Sequence, residues 1–144
     1  MLKTEDLRDY FEENLQELNI KHNNWNVNKL DNKKRENIVF YYLYNQEERK
    51  KMYIGSISNS YTDYYTILIH HNENYKESRE IAEKVYDFII ELIMKDKLVI
   101  NNNFIEDIEI ITNIQDVSDF EETNLYEFVI QFKMTYKENK ESEE

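Results

Sequence analysis

The chain has 144 residues, 40% hydrophobic and 14% aromatic, which favours one domain with a real core. With one glycine, no proline and no cysteine, it cannot write a glycine-rich phosphate loop, a dinucleotide fingerprint, a disulfide framework, a thiolate metal site or a thiol nucleophile. The net charge of −12 argues against ordinary duplex nucleic-acid binding, which needs a basic footprint. It is compatible with plain solubility, or with a channel that must repel nucleic acid.

No apolar run approaches the roughly 20 residues of a membrane span. The opening MLKTEDLRDYF is acidic and lacks the apolar core of a secretory signal. The expectation is a soluble intracellular protein, and the missing cysteines fit a reducing compartment. The wealth of Asn, Ile, Lys and Tyr matches the codon bias of an AT-rich genome and carries no functional reading.

The first predicted element is a helix from Thr4 to Asn19. Thr4 is its candidate cap, Glu5 and Asp6 occupy the first turn where anions are favoured, and Asn19 terminates it. Leu7, Tyr10, Phe11, Leu15 and Leu18 form its apolar stripe. His22 to Asn37 is polar, with a short edge strand around Trp25 and Val27; Trp25 reads as the cap of a core edge rather than a binding aromatic. Lys33, Lys34 and Arg35 read as a solvated turn.

Ile38 to Tyr44 alternates as a strand, with Ile38, Phe40, Tyr42 and Tyr44 on one face. After the charged turn Asn45 to Lys50, Met52 to Ser58 is expected to pair back as a second strand, with Gly55 at a bulge. Asn59 to Thr62 turns the chain into a third, completing an antiparallel meander.

The segment Asp63 to Asp96 organises the rest. Tyr64 to His71 reads as a central strand covered on both faces. Asn74 can cap the helix that follows, with Glu77 at the capping-box spacing. Ile81, Ala82, Val85, Phe88, Ile89, Leu92 and Ile93 make its apolar stripe, and Lys95 and Lys97 end it. Leu98 to Ile100 is a small apolar segment before an Asn101–Asn103 loop. Phe104 to Thr112 is a strand whose Ile105 and Ile111 share no clean period with Ile108 and Ile110. Asn113 to Asn124 is an acidic loop. Leu125 to Tyr136 is the clearest strand, with Tyr126, Phe128, Ile130, Phe132, Met134 and Tyr136 on one face. The fold class that follows is α+β: one mixed, mainly antiparallel sheet with two helices packed on one face. Residues 1–136 form a single domain and 137–144 a charged tail expected to be disordered. Phe128, Ile130, Phe132, Ile67, Ile69, Phe88 and Leu92 should be buried.

Catalytic chemistry finds little support. His70 and His71 are adjacent on a strand, so they point to opposite faces and cannot easily chelate one metal. The acid pairs Glu12–Glu13, Glu47–Glu48 and Glu121–Glu122 lack the contrasting environments that drive catalytic pKa values apart. Ser56, Ser58 and Ser60 lack a glycine-flanked elbow. The aromatic stripe of the last strand lacks the basic interleaving of a nucleobase-stacking platform, and packing under two helices explains it better. The expectation is no enzyme, no cofactor and no metal.

The order of elements resembles the tail-terminator and minor-capsid (head–tail joining) family of long-tailed bacteriophages. The likeness runs over roughly Leu2 to Asn139. It rests on Tyr75, Ser78, Ile81, Ala82, Val85, Tyr86 and Ile89 in the second helix, and on Tyr126, Phe128, Ile130, Phe132, Met134 and Tyr136 in the closing strand. Family members commonly carry more glycine and proline in their loops than this chain does. The resemblance implies a structural protein that assembles as a ring, usually a hexamer, on the end of the tail tube. Such a ring stops tube growth and offers a docking face to the head connector. Its partners would be copies of itself, the tail-tube protein, and a head-completion or connector protein or the sheath, with no sequence-specific nucleic acid and no membrane. It would lie in the bacterial host cytoplasm during assembly, then in the virion tail or a headless tail-like particle. Glu47, Glu48, Arg49, Lys50, Asp116, Asp119, Glu121 and Glu122 are the expected residues of the lumen or docking face. Two other readings stay open: a small ligand-binding or enzyme domain, which needs a buried polar pocket, and an acidic nucleic-acid mimic, which needs its acids in one duplex-like stripe.

Overall fold

The computed structural model describes residues 2–30, 36–46, 52–53, 56–57, 60–71, 74–118 and 126–138. Eight strands and two α-helices follow in the order α1 (Thr4–Asn14), β1 (Trp25–Val27), β2 (Glu36–Gln46), β3 (Met52–Tyr53), β4 (Ser56–Ile57), β5 (Ser60–His71), α2 (Tyr75–Ile93), β6 (Leu98–Ile100), β7 (Asn103–Asp116) and β8 (Tyr126–Glu138). Six strands form one sheet in the order β1-β2-β5-β8-β7-β6. Only β1 and β2 run parallel; every other pair in that sheet is antiparallel. The architecture is α+β with a mixed, mainly antiparallel sheet.

The sheet carries both helices on one face. Odd positions of β5 (Tyr65, Ile67, Ile69) and even positions of β8 (Phe128 to Tyr136) are buried there with Leu7 and Phe11 of α1 and Ala82, Val85, Phe88, Ile89 and Leu92 of α2. All seven residues expected in the core are buried. Phe11 sits at the centre, with ring centroids 5.1 Å from Phe40, 5.0 Å from Phe88 and 6.3 Å from Phe132. Trp25 is buried at the β1 edge and stacks on Phe40 at 6.5 Å. The opposite face has no described helix. Tyr64, Thr66 and Leu68 are half-buried there, so β5 is central in order but not covered equally on both sides.

Several boundaries differ from expectation, each for a local reason. Helix α1 stops at Asn14, and a single 3-10 turn, Gln16–Leu18, carries the chain to Asn19, which terminates it with a left-handed φ of 55°. The N-cap position belongs to Lys3, not Thr4, and its N–H donates to Asp6 Oδ2. The predicted meander does not form. Strand β2 pairs directly with β5, and Met52–Tyr53 pairs with Ser56–Ile57 as a separate two-stranded hairpin. Gly55 lies outside the described residues. Ser60 to Thr62 belongs to β5 rather than to a turn. Helix α2 begins after Asn74, whose Oδ1 accepts from the Glu77 N–H at 3.1 Å. It ends at Ile93, before Lys95 and Lys97, and Ile93 is exposed.

Leu98–Ile100 is a full strand, joined to β7 by Asn101 and Asn102 at φ 43° and 64°. Two positive φ values in a two-residue loop match the twist of a hairpin, and Asn tolerates that region best after Gly. Strand β7 runs on to Asp116, so the acidic loop starts later than expected. Its register on β8 shifts between Ile105 and Asp107, Ile110 and Thr112, and Thr112 and Gln115, which is why its isoleucines show no clean period of two. Strand β8 includes Lys137 and Glu138; the rest of the tail lies outside the described residues. Among the described residues, no helix is long and apolar enough to cross a membrane.

Candidate functional site

Strand β5 carries buried polar groups at both ends. At its start, Asp63 is fully buried on the helix-bearing face. Its Oδ2 accepts from the hydroxyls of Tyr136 at 2.7 Å and Tyr65 at 3.2 Å, while Oδ1 has no partner among the described residues. Burial pushes the Asp63 carboxyl above its usual range, against the pull of the phenols of Tyr136, Tyr65 and Tyr42. Burial and the Asp63 charge raise both Tyr65 and Tyr136 well above an ordinary phenol. The cluster has a carboxylate and phenols but no exposed reacting atom, so it works as an internal anchor.

The sequence contains the signal for this cluster. Acids are depleted from strands, and Asp63 stands two residues before Tyr65 and therefore on the same face. Reading the strand as starting at Tyr64 hid it.

At the other end, His70 and His71 are both buried and do face opposite sides. His71 is on the helix side. Its Nδ1 accepts from the Asn74 N–H at 3.0 Å. The ring proton is therefore on Nε2, 3.1 Å from Glu77 Oε2. One histidine thus ties the strand end, the turn and the first turn of α2. His70 places Nδ1 3.2 Å from Glu127 Oε2 on the facing position of β8. Among the described residues, no group of three His, Asp or Glu side chains is arranged to hold a metal.

Of the expected lumen or docking residues, only Asp116 falls among the described ones; Glu47, Glu48, Arg49, Lys50, Asp119, Glu121 and Glu122 lie outside them. Asp116 closes the end of β7. Its Oδ2 accepts from the Tyr75 hydroxyl at 2.8 Å and its Oδ1 from the Ser118 N–H at 2.9 Å. Partial burial acts upward on its pKa, but the Ser118 and Tyr75 hydrogen bonds outweigh it and hold the carboxyl below its usual range. Asp116 is an exposed acid committed to a local turn.

Two features are open to a partner. One is the part of the helix-free face where Tyr41, Tyr64, Leu68 and Val129 are half-buried and Leu43 is exposed; toward the other end of that face Asn37, Val39 and His70 are buried. The other is the pair of sheet edges. Strand β1 covers only Ile38 to Phe40 of β2, and β6 covers only Asn103 to Ile105 of β7. On the helix side, a shallow depression of about 340 Å³ lies between Glu17, Leu18, Glu36, Glu77, Glu80, Ile81 and Lys84.

Comparison with protein-family models and with curated proteins finds no match.

Proposed function

We propose that the chain is a structural subunit that closes into a ring on the end of a phage-type tail tube, ends tube growth and offers a docking face to a head connector or sheath. The observation that carries the reading is how the positions of the resemblance are used. Ser78 is buried in α2 and donates to the Tyr126 carbonyl at 3.2 Å. Tyr75 packs on Tyr126 and Phe128 with ring centroids 5.9 and 5.6 Å away. Tyr86 donates to Asn113 at 3.0 Å. The pattern's polar positions are those that seat α2 on β7 and β8, although the three-strand meander expected before α2 does not form. The sheet so formed keeps both long edges open among the described residues, and open edges need a partner or protection.

A closed ring gives each subunit the same two neighbours. With −12 per chain, six copies carry about −72, so assembly should be weak at low salt and improve as salt screens the repulsion. The same charge keeps a passing duplex from adhering to the lumen. Native mass spectrometry or light scattering across a salt series, with and without a tail-tube protein, tests the reading. A closed oligomer, or specific capping of tube ends, is the expected result. A strict monomer that never binds tube ends would refute it.

A further inference from the structure

The two edges of the six-stranded sheet are unlike each other. Strand β7 is 14 residues long, and β6 pairs with only its first three. From Glu106 onward no described strand lies on its outer side. Its register on β8 is regular over Asp107 to Ile110, between two shifts. Glu106 and Asp107 are exposed along this stretch; Glu106 also accepts from the Ser60 hydroxyl at 3.1 Å, and Glu109 is paired with Lys133 of β8 at 3.0 Å.

Helix α2 flanks the same edge. Tyr86 reaches Asn113, and Ile93 borders a small hollow with Ile105, Glu106, Asp107 and Ile108, which Lys95 also lines. Ile90 lies on the same stripe between them, and Ile90 and Ile93 are 36% and 41% exposed where the sheet stops. At the opposite edge, β1 is three residues long and, among the described residues, pairs only with β2. Exposed Lys21 and Lys29 stand before and after it.

We infer that copies of this chain join head to tail, the regular stretch of β7 in one copy pairing with β1 of the next. The inference rests on the self-assembly proposed above and names the surface that makes it. The occupant is a second copy because Lys21 and Lys29 flank β1 with the charge that the exposed Glu106 and Asp107 of β7 call for. Pairing β7 with another β7 would set acids against acids. Pairing unlike edges is heterologous, which closes into a ring when the rotation allows. The lengths agree, three residues of β1 against four regular ones of β7, and the shifts on either side bend β7 away from a longer, unselective partner. A strand laid there also covers Ile90 and Ile93. At physiological salt, charges more than about 8 Å apart are screened, so contacts across the joint outweigh the net repulsion between chains.

The test is a charge swap in the full chain. Glu106→Lys with Asp107→Lys makes the β7 edge basic, and Lys21→Glu with Lys29→Glu makes the β1 edge acidic. Circular dichroism first confirms that both variants fold. Each alone should be at least ten-fold weaker in assembly than the parent, and an equimolar mixture should restore it, in even-numbered oligomers that alternate the two. General repulsion predicts the opposite for the first variant, since it lowers the net charge from −12 to −8. Hydrogen exchange of the parent should slow over residues 106–110 and 25–27 on assembly. If the parent assembles but the variants assemble equally well, or the mixture restores nothing, the joint lies elsewhere and the ring proposal survives without it. A parent that never oligomerises, with or without tube protein, overturns both.

Discussion

Phe132→Ala tests the one-sided core most directly. Phe132 is fully buried near the middle of β8 and faces Tyr65 and Ile110 on the neighbouring strands. Its ring stacks on Tyr65 at 5.4 Å and on Phe11 of α1 at 6.3 Å. Truncating a buried Phe costs about 3–5 kcal/mol. Two aromatic partners place this site in the upper half, about 4–5 kcal/mol. A domain of this size holds about 5–15 kcal/mol in total, so the loss takes from about a quarter to all of it. With a urea slope of about 2 kcal/mol/M, the unfolding midpoint should fall by about 2 M at unchanged slope. Val129, three residues earlier, lies half-buried on the helix-free face, and Val129→Ala should cost about 1 kcal/mol or less. Urea melts of the two variants beside the parent are the assay. Midpoints that fall within about 0.5 M of each other would mean that both faces are covered alike, and the one-sided reading would fail.

Asn74→Ala removes the side chain that accepts from the Glu77 N–H; urea melts should show a loss of about 1 kcal/mol, and no loss would mean that another acceptor replaces the cap. Asp63→Asn tests the buried carboxyl through pH. Burial raises its folded pKa, so the native state holds the proton more tightly than the unfolded chain, and stability falls as pH rises from the ordinary Asp value of about 3.9 toward the raised one. The variant cannot titrate, so its stability relative to the parent should improve as pH rises above about 4; a pH-independent difference in urea midpoints would refute the assignment.

What was legible in the sequence follows from periodicity and capping. Helix α2 and β8 were readable because each puts an unbroken apolar stripe on one face and because Asn74 stands at a helix start. Trp25 and Val27 gave away an edge strand by sharing a face. What escaped was set by pairing rather than by pattern. Met52 to Ile57 has strand composition, but nothing local says whether it pairs with β2 or turns on itself. The shifts in β7 broke the period of two that would have extended the strand to Asp116. Asp63 was passed over because a charge at a strand start looks like the end of a turn; only the placement of Tyr136, 73 residues away, makes it an interior position. The candidate edges were invisible for the same reason, since strand order is a property of the assembled sheet.

The buried polar groups of β5 also answer a question that its apolar residues leave open. A one-residue slip of β5 would turn Tyr65, Ile67 and Ile69 to the wrong face and is excluded by burial. A two-residue slip keeps every side chain on its face and displaces it by about 7 Å, so the alternating pattern alone does not forbid it. The ends of the strand do. Such a slip would carry Asp63 away from the Tyr136 hydroxyl, leaving a buried carboxyl and a buried phenol without each other. It would also separate His70 from Glu127 on β8. Asp63 costs stability as a buried acid, and the return is a single register for the strand that joins the β2 half of the sheet to the β8 half. Both open edges take their positions from that register, so an error in the middle of the sheet would move the surfaces at which a neighbouring copy has to meet it.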